Sequence, residues 1–345
     1  MTETDLSPLF ERVSPPDTLP SLAHPDVAGW RPVGDDDLDL IVALEAAMAA
    51  VDHPEYALPR HELADDLGMS FVDRERDSIV ALDADGRAAA WGVAYHPPGR
   101  ETLVRSILVG GVHPELRGRG IGRVLMAWLR ARGEQQLAAS ALRLPGWIMA
   151  FTDDRARRAG PLFESAGFTP TRYFAGLRRD LGEPVDDVRA GEGIRVEVLR
   201  SERVDEVRAA RNDAFRDHWG SQPRSEEEWR VFASSAVFRM DLSIIAVDEA
   251  SDRVVGFVLA EVNEADWQGQ GFSSVHVPLV GVVRGHRGRG VAKALLAAHL
   301  IAARAARLEY STLEVDAASP TGAFALYERM GFRSATTETS YTIVV

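Results

Sequence analysis

The chain has 345 residues, of which 46% are hydrophobic and 26% charged, so it is long enough for two globular domains and has the composition of a folded protein. It contains no cysteine, which excludes disulfides, thiolate metal sites and a cysteine nucleophile. Its formal net charge of −13 argues against a duplex nucleic-acid binder, whose affinity depends on Lys and Arg contacts with phosphates.

The sequence predicts an irregular N-terminal arm over residues 1–28. Met1–Leu22 contains four prolines and lacks a cationic start followed by an apolar run, so it does not have the pattern of a secretory signal. No run of 18 apolar residues occurs in the sequence, and therefore no membrane span is predicted. We expect a cytoplasmic protein, a monomer or homodimer, without membrane or nucleic-acid partners.

A first domain is predicted over residues 29–180. Its predicted strands are Ile79–Leu82, Ala88–Tyr95 and Ile107–Val112, and Asp83–Gly86 is predicted to be a hairpin turn between the first two. After the third strand, a polar Gly/Arg turn precedes a predicted helix. The apolar residues of this helix recur at i, i+3, i+4, i+7 and i+8, which is typical of a helix packed on a sheet: Ile121, Val124, Leu125, Trp128 and Leu129.

A second domain, residues 194–345, is predicted to follow a linker at 181–193 that is rich in Gly, Asp and Glu. Its predicted strands are Leu242–Val247, Val254–Val262 and Val275–Val283. A helix with apolar residues Val291, Ala294, Leu295 and Ala298 comes next. Each domain is therefore predicted to be α+β, with a mixed sheet flanked by helices.

An internal repeat relates the two domains. Val109–Gly122 and Leu279–Ala292 are nearly alike, and their arginines, Arg117 and Arg287, lie 170 positions apart. A second pair of similar segments, Leu162–Phe168 and Leu326–Phe332, follows in the same order. A period of this size indicates duplication of a whole domain, because solenoid repeats have periods of about 20–50 residues.

The Gly/Arg turn in each copy has the pattern of an anion site. A strand that passes through Arg-x-x-Gly-x-Gly/Ala into a helix exposes backbone N–H groups at the positive end of the helix dipole, where a diphosphate can bind. Neither copy has the Gly-Lys-Ser/Thr end of a P-loop or the Gly-x-Gly-x-x-Gly of a dinucleotide fold, so coenzyme A is the nucleotide predicted. The predicted coenzyme-binding residues are Arg117, Gly118, Arg119, Gly120, Ile121 and Gly122 in the first copy, and Arg287, Gly288, Arg289, Gly290, Val291, Ala292 and Lys293 in the second.

Both turns resemble the pyrophosphate-binding motif of the GNAT superfamily of N-acetyltransferases, and Tyr327–Phe332 is similar to that family's Tyr-x-x-x-Gly-Phe. The order of a degenerate copy before a more complete one is similar to that of mycothiol synthase. The resemblance implies two tandem GNAT-like domains with mostly antiparallel sheets, acetyl-CoA as co-substrate and no metal. It also implies that the backbone of Val280, Gly281 and Val282 pairs with the pantetheine arm and polarises the thioester carbonyl.

Acetylation of an amine needs a base, since an amine with a pKa near ~10 is mostly protonated at pH 7, and an acid that protonates the leaving thiolate. The resemblance implies Tyr327 as the acid. In the first domain Phe163 occupies that position and cannot donate a proton. Ser319 followed by Pro320 predicts the start of the tyrosine helix.

To find a candidate base, we align Gly111 with Gly281 and count five residues back in each copy. His276 of the second copy then corresponds to Ser106 of the first. A histidine, with a pKa near ~6.5, suits proton transfer at neutral pH. The mycothiol synthase-like arrangement implies glutamate at this position, so His276 departs from it, and Glu261 is the alternative base.

These features predict transfer of acetyl from acetyl-CoA to a primary amine of a small molecule, such as an amino sugar–cysteine conjugate or an antibiotic. The first domain is expected to bind acetyl-CoA without turnover; the alternative is that it serves as a scaffold and a wall of the substrate cleft. The alternatives are acetylation of a protein N-terminus or lysine, and a non-catalytic acyl-CoA sensor. Asp217–Gly220, Glu226–Trp229 and Trp267 are predicted either to line the acceptor pocket or to form an ordinary solvated surface.

Overall fold

The computed structural model describes residues 6–186, 188–319 and 322–345. The chain forms two compact units. The N-terminal unit consists of the residues up to Arg172 together with Glu338–Val345, and the C-terminal unit consists of Tyr173–Thr337. No helix in the described part of the chain has the length and apolar character needed to cross a membrane.

The N-terminal unit is a mixed sheet with helices on both faces. Its helices are α1 (Leu9–Arg12), α2 (Leu38–Asp52), α3 (Arg60–Leu67), α4 (Arg74–Asp77), α5 (Ile121–Ala138) and α6 (Ala159–Ser165). Its strands are β1 (Gly29–Arg31), β2 (Ser78–Leu82), β3 (Ala88–Tyr95), β4 (Val104–Val112) and β5 (Gly146–Asp153), followed by the start of β6 (Thr169–Asp180). Neighbouring strands pair in the order β1-β2-β3-β4-β5, antiparallel except for the parallel pair β4 and β5.

The apolar stripe of α5 explains how this sheet is covered. Ile121, Leu125 and Leu129 are buried against Val104 and Leu108 of β4, as the helical periodicity predicts. The opposite face of β3 packs on α2 and α3 in a second core. Because both faces of β3 are covered, its sequence is an almost unbroken apolar run rather than an alternating one.

The C-terminal unit repeats this plan. Its helices are α7 (Val204–Ala214), α8 (Glu226–Ser234), α9 (Asp266–Gln270), α10 (Val291–Ala305) and α11 (Ala323–Arg329). Its strands are β7 (Ile194–Val198), β8 (Ile244–Asp248), β9 (Arg253–Glu261), β10 (Ser274–Val282) and β11 (Tyr310–Asp316), with β6 beside β11. The pair β10 and β11 is parallel, and the other pairs are antiparallel. The predicted mixed, mostly antiparallel sheets with flanking helices are therefore confirmed.

The boundaries of the compact units fall inside strands. β6 continues past Arg172 into the C-terminal unit, and the last strand, β12 (Arg333–Val344), ends in the N-terminal unit, where Glu338–Val344 pairs with β5. The sequence repeat gives different bounds, 29–180 and 194–345, and these stay a prediction about the duplicated segments. The described residues of 181–193 contain no helix or strand.

The described part of the predicted N-terminal arm, residues 6–28, is mostly irregular but packed. Leu9, on the single turn of α1, is fully buried in the core beneath α5. The Arg12 side chain donates hydrogen bonds to the backbone carbonyls of Ser7 and Leu144. These contacts fasten the arm to the N-terminal unit.

Gly110 provides a test of the β3–β4 packing. Its φ is +138°, and a Cβ built there would lie 2.2 Å from the carbonyl oxygen of Trp91. We expect Gly110→Ala to lower the free energy of unfolding by about 3 kcal/mol or more, since it combines left-handed strain with a backbone clash. Gly86→Ala is the matched control: its φ is +78° with no atom within 4 Å, and we expect a loss of about 1 kcal/mol. Equal losses in urea unfolding would contradict this interpretation.

His299 provides a test of the core beneath α10. It is fully buried, its Nδ1–H donates to the carbonyl of Leu242 at 2.9 Å, and its Nε2 lies 3.2 Å from Ser311 Oγ. Burial lowers the pKa of His299 to about 4. Between pH 6.5 and 4 the unfolded chain therefore binds a proton that the folded chain does not, and stability falls as the pH falls through this window.

We expect His299→Gln to make the pH dependence of the unfolding free energy shallower, by up to about 3 kcal/mol over this window. Urea unfolding at a series of pH values measures it. His113→Gln, at a histidine outside the core, is the control, and an unchanged slope in His299→Gln would show that another group carries the dependence.

Candidate functional site

The turn between β10 and α10 is an open, glycine-dependent bend. Gly288 and Gly290 have φ values of +75° and +74°, which glycine adopts without strain, and a Cβ at either position would meet no atom within 4 Å. Gly290 is the N-cap of α10 and provides no side-chain cap. The first turn of α10 contains Lys293 and no acidic residue.

The backbone amides of this bend are available to a ligand. Within the described ranges, the N–H groups of Gly288–Ala292 have no hydrogen-bond partner. The first amides of a helix always lack intrahelical acceptors, and here the dipole of a 15-residue helix adds to them. The bend therefore has the geometry of an anion site.

The arginine that begins each bend points back into the protein. Arg287 donates to the carbonyls of Val282 at 3.2 Å and Ala214 at 2.8 Å, and it lies 3.3 Å from Asp217. In the N-terminal unit, Arg117 donates to the Val112 carbonyl at 2.9 Å and binds both carboxylate oxygens of Asp52 at 2.8 and 2.6 Å. Both arginines tie the bend to the preceding strand and to a neighbouring segment. Their contact with phosphate stays a prediction, and the amides are the donors best placed for it.

The corresponding bend of the N-terminal unit is partly covered. Gly118 and Gly120 also have positive φ, +81° and +110°, and within the described ranges the amides of 118–122 have no partner. The N-terminal arm contacts it through His24 Nε2, 3.0 Å from the Arg119 carbonyl oxygen, much as the Gly191 N–H donates to the Arg289 carbonyl at 3.2 Å in the other bend, but a Cβ at Gly118 would lie 2.7 Å from the Arg158 guanidinium. This bend thus has the same donors in a more crowded setting.

Beside the open bend, β10 separates from β11. The two strands pair only from Ser274–Tyr310 to Val277–Leu313. Beyond that point β10 continues along β9 as far as Val282, and β11 continues along β6 as far as Asp316. Along Val280, Gly281 and Val282, no described strand pairs with the β11 side of β10. This edge is free to pair with an extended ligand, which supports the prediction for these three residues.

A β-bulge accompanies the separation. His276 pairs with Glu261 and Leu279 pairs with Leu259, so Val277 and Pro278 lie opposite a single residue of β9. Proline has no N–H to donate to a ladder, and a bulge is one of the few places in a sheet that accepts it. Pro278 inside an apolar strand is a sequence feature from which this bulge could have been predicted.

The bulge corrects the predicted counterpart of His276. In the N-terminal unit β4 also separates from β5 after four pairs, but its register with β3 is uninterrupted. Between His276 and Gly281, β10 contains one residue more than the matching part of β4. A count of five residues back from each glycine therefore pairs His276 with Ser106, which is one position away from its true counterpart and on the other face of the sheet. Strand pairing instead relates His276 to Ile107. Ser106 is fully buried and donates to Gln136 at 2.7 Å, a core contact beneath α5. The conclusion that the first copy has no base at this position is unchanged, since isoleucine does not titrate.

Tyr327, the predicted acid, lies on α11 with a side chain that is 7% exposed. Its ring packs edge-on against Phe332 at 5.8 Å, and its hydroxyl has no hydrogen-bond partner among the residues that the structure describes. Burial raises the pKa of Tyr327, so the phenol keeps its proton at neutral pH. Its helix begins at Ala323, and Pro320 of the predicted start lies outside the described residues.

The counterpart in the N-terminal unit is Phe163, on α6. It is buried and packs against Phe168 at 6.1 Å and Tyr341 at 5.3 Å. A phenylalanine in an aromatic cluster has no proton to transfer. Proton-handling groups at both predicted catalytic positions are therefore confined to the C-terminal copy.

His276, the predicted base, is half-buried on β10. Its Nδ1 lies 3.2 Å from Thr312 Oγ1 on β11. Burial lowers the pKa of His276, and the negative charge of Glu314 partly opposes that shift. The imidazole is therefore mainly neutral at pH 7 and has a lone pair for a proton. Glu261, the alternative base, is its register partner on β9.

The other residues that were predicted to line the acceptor pocket lie in different environments. Trp229 is 2% exposed and donates to the Val204 carbonyl at 2.9 Å, so it belongs to the core. Trp267 is on α9 and donates to the Ser274 carbonyl at 3.3 Å. His218 stacks on Phe215 with ring centroids 4.6 Å apart, and burial lowers its pKa.

Sequence reasoning missed the role of Asp217 beside the bend. It accepts from Arg284 at 2.8 Å and lies 3.3 Å from Arg287, so it orders both arginines. It also missed Thr312 and Glu314 near His276. Their alternation with buried Leu313 and Val315 in β11 was the available feature, because residues two apart on a strand share a face.

Comparison with known families agrees with this geometry. Residues 204–332 match the acetyltransferase (GNAT) family, and residues 74–170 match an acetyltransferase (GNAT) domain. Mycothiol acetyltransferase of Thermobispora bispora is 32% identical over 277 residues, covering 76% of this chain and 82% of that protein. The mycothiol acetyltransferase of Nocardioides sp. is 28% identical over 286 residues, covering 75% and 92%.

Solved structures share the fold. A GCN5-related N-acetyltransferase from Sphaerobacter thermophilus superposes with a TM-score of 0.67 at 23% identity, covering 92% of this chain and 95% of that one. A tandem GNAT protein from the clavulanic acid biosynthesis pathway gives a TM-score of 0.63 at 15% identity, covering 92% and 98%. At these identities the similarity concerns architecture alone.

Proposed function

The chain belongs to the GNAT family of acetyltransferases, and from that premise we propose that its C-terminal unit transfers acetyl from acetyl-CoA to a primary amine of a small molecule, by direct attack in a ternary complex. The observation that carries the proposal is the combination, in this unit only, of an open bend, a free strand edge and a buried tyrosine whose hydroxyl has no partner among the described residues.

The coenzyme fits the described donors. GNAT acetyltransferases use acetyl-CoA, and the amides of Gly288–Ala292 with Lys293 supply the donors and charge that a diphosphate needs. The edge of β10 at Val280–Val282 then receives the pantetheine arm as an added strand. Its N–H groups polarise the thioester carbonyl and stabilise the negative charge that develops on that oxygen.

His276 and Tyr327 each carry out one proton transfer in this proposal. His276 accepts a proton from the substrate ammonium, which leaves a nucleophilic amine. As the amine nitrogen bonds to the acetyl carbon, the carbon–sulfur bond breaks, and Tyr327 gives its proton to the departing thiolate. The remaining proton on the nitrogen is released as the amide forms, and Tyr327 is reprotonated from solvent.

A small-molecule acceptor is favoured by the relatives. Those with the name mycothiol acetyltransferase align over most of their length with about three quarters of this chain. The net charge of −13 also favours a cationic acceptor over an acidic one. A purely non-catalytic sensor is disfavoured because Tyr327 and His276 are both present in the second copy.

Tyr327→Phe tests the chemistry. We expect turnover, measured as CoA release with a panel of amines, to fall by about 10²-fold or more while acetyl-CoA affinity is retained, because only the general acid is removed. Tyr310→Phe, on β11 in the same unit, is the matched control and should keep its activity. Wild-type rates in Tyr327→Phe would remove this residue from the mechanism.

We further propose that the N-terminal unit binds acetyl-CoA without turnover, because its bend keeps free amides while its acid position is Phe163. Calorimetry with acetyl-CoA should therefore show two sites per chain. Gly290→Glu should remove one site together with catalysis, since a carboxylate would occupy the anion site. Gly120→Glu should remove the other site and leave turnover unchanged. A single site in the wild-type chain would refute binding by the first copy.

A further inference from the structure

A row of polar residues crosses three adjacent strands of the C-terminal sheet at His276. Glu261 on β9 and Thr312 on β11 are the register partners of His276 on either side, and Glu314 follows two residues after Thr312. Directly paired residues and residues two apart lie on the same face of a sheet. The four side chains therefore share one face.

This face is the one that α10 does not cover. The alternate residues of the same strands, Val275, Val277, Leu313 and Val315, are buried in the core with α10. His276 and Thr312 are half-buried, and Glu314 is exposed. The row is thus reachable from solvent beside the predicted base.

The duplicated domain serves as an internal comparison. Strand pairing relates Glu261, His276, Thr312 and Glu314 to four residues of the N-terminal unit, in that order Tyr95, Ile107, Met149 and Phe151. None of the four is a carboxylate, an imidazole or an aliphatic hydroxyl. The carboxylates, imidazole and aliphatic hydroxyl of the row therefore occur only in the copy that keeps Tyr327, and the phenol of Tyr95 is the one polar group of the counterpart row, so the fold that both copies share does not require these residues.

Glu314 differs from most acidic residues of its unit. Asp217, Asp241 and Asp252 form ion pairs with arginines, whereas the Glu314 side chain makes no ion pair or hydrogen bond within the described part of the chain. Its register partner on β6 is Gly176, where the Thr336 side chain fills the space that a Cβ would take. An exposed carboxylate without a cation, next to a neutral imidazole, is suited to hold a positively charged group.

We infer that Glu314 binds the acceptor as an ammonium ion beside His276, so that the natural acceptor is an aliphatic primary amine that is cationic in solution rather than an arylamine. This inference rests on the proposed acetyltransferase function. Glu314 holds the ammonium, His276 takes its proton, and the resulting neutral amine stays in place for attack. Glu314 is a substrate-binding residue in this scheme and takes no part in bond breaking.

The test compares Glu314→Gln with Glu249→Gln, an exposed residue in the β8–β9 turn that removes the same charge away from the site. The acceptors are glucosamine, S-methylcysteine and cadaverine as cationic amines and aniline as an uncharged one. For the best cationic acceptor we expect Glu314→Gln to raise KM about tenfold with kcat within about twofold, since uniform binding is lost. Glu314→Asp should recover most of the affinity, and Glu249→Gln should match wild type.

A KM in Glu314→Gln equal to that of wild type, or a wild-type preference for aniline over every cationic acceptor, would overturn the inference. A circular dichroism melt identifies misfolding, in which case Glu314→Asp, which keeps the charge, decides the matter: loss of binding there as well would count against a charge-based role. If Tyr327→Phe abolishes turnover while Glu314→Gln behaves as wild type, the inference fails and the proposed function stands. No CoA release from wild type with any amine would refute both.

Discussion

The geometry of the site depends on the separation of β10 from β11 after Val277, which leaves the edge of Val280–Val282 without a strand partner among the described residues. In the paired stretch, Val275 and Val277 are buried in the core with α10, and His276 lies on the opposite face. A bulge, with Val277 and Pro278 opposite one residue of β9, lies at the point of separation, but β4 separates from β5 after four pairs without a bulge, so the bulge is not required for the separation. The imidazole and the free strand edge are neighbours because His276 lies in the last paired stretch of β10 before its separation from β11.

The bends of the two copies keep the same construction, because an arginine fastens each one to its preceding strand. Arg117 and Arg287 donate to the carbonyl at the end of β4 and β10, respectively, through the same guanidinium nitrogen. A fixed bend holds the helix amides in position, which pre-organises an anion site. The copies differ where chemistry requires side chains: the bulge, Tyr327 and the polar row occur in one copy alone.

Much of the fold was predictable, because repetition and periodicity are local features of sequence. The predicted strand Ala88–Tyr95 is observed with the same bounds, and α5 and α10 begin at the Ile121 and Val291 positions that the apolar stripes indicate. The pairing partner of the final strand could not be predicted, because Glu338–Val344 and β5 are far apart in sequence. The position of His276 relative to the first copy was wrong by one residue, because alignment without coordinates cannot count a bulge. Glu314 was missed because the alternation in β11 places it on one face of its strand but does not show that His276 lies on the neighbouring strand.

The central claim is that the coenzyme occupies the free edge of β10 and the bend before α10. Hydrogen–deuterium exchange with and without acetyl-CoA measures this directly, at peptides that cover Val280–Val282 and Gly288–Ala292. The account predicts slower exchange in both segments when acetyl-CoA is present, with the hairpin turn at Asp248–Arg253 unchanged. Unaltered exchange in both segments under saturating acetyl-CoA would contradict it.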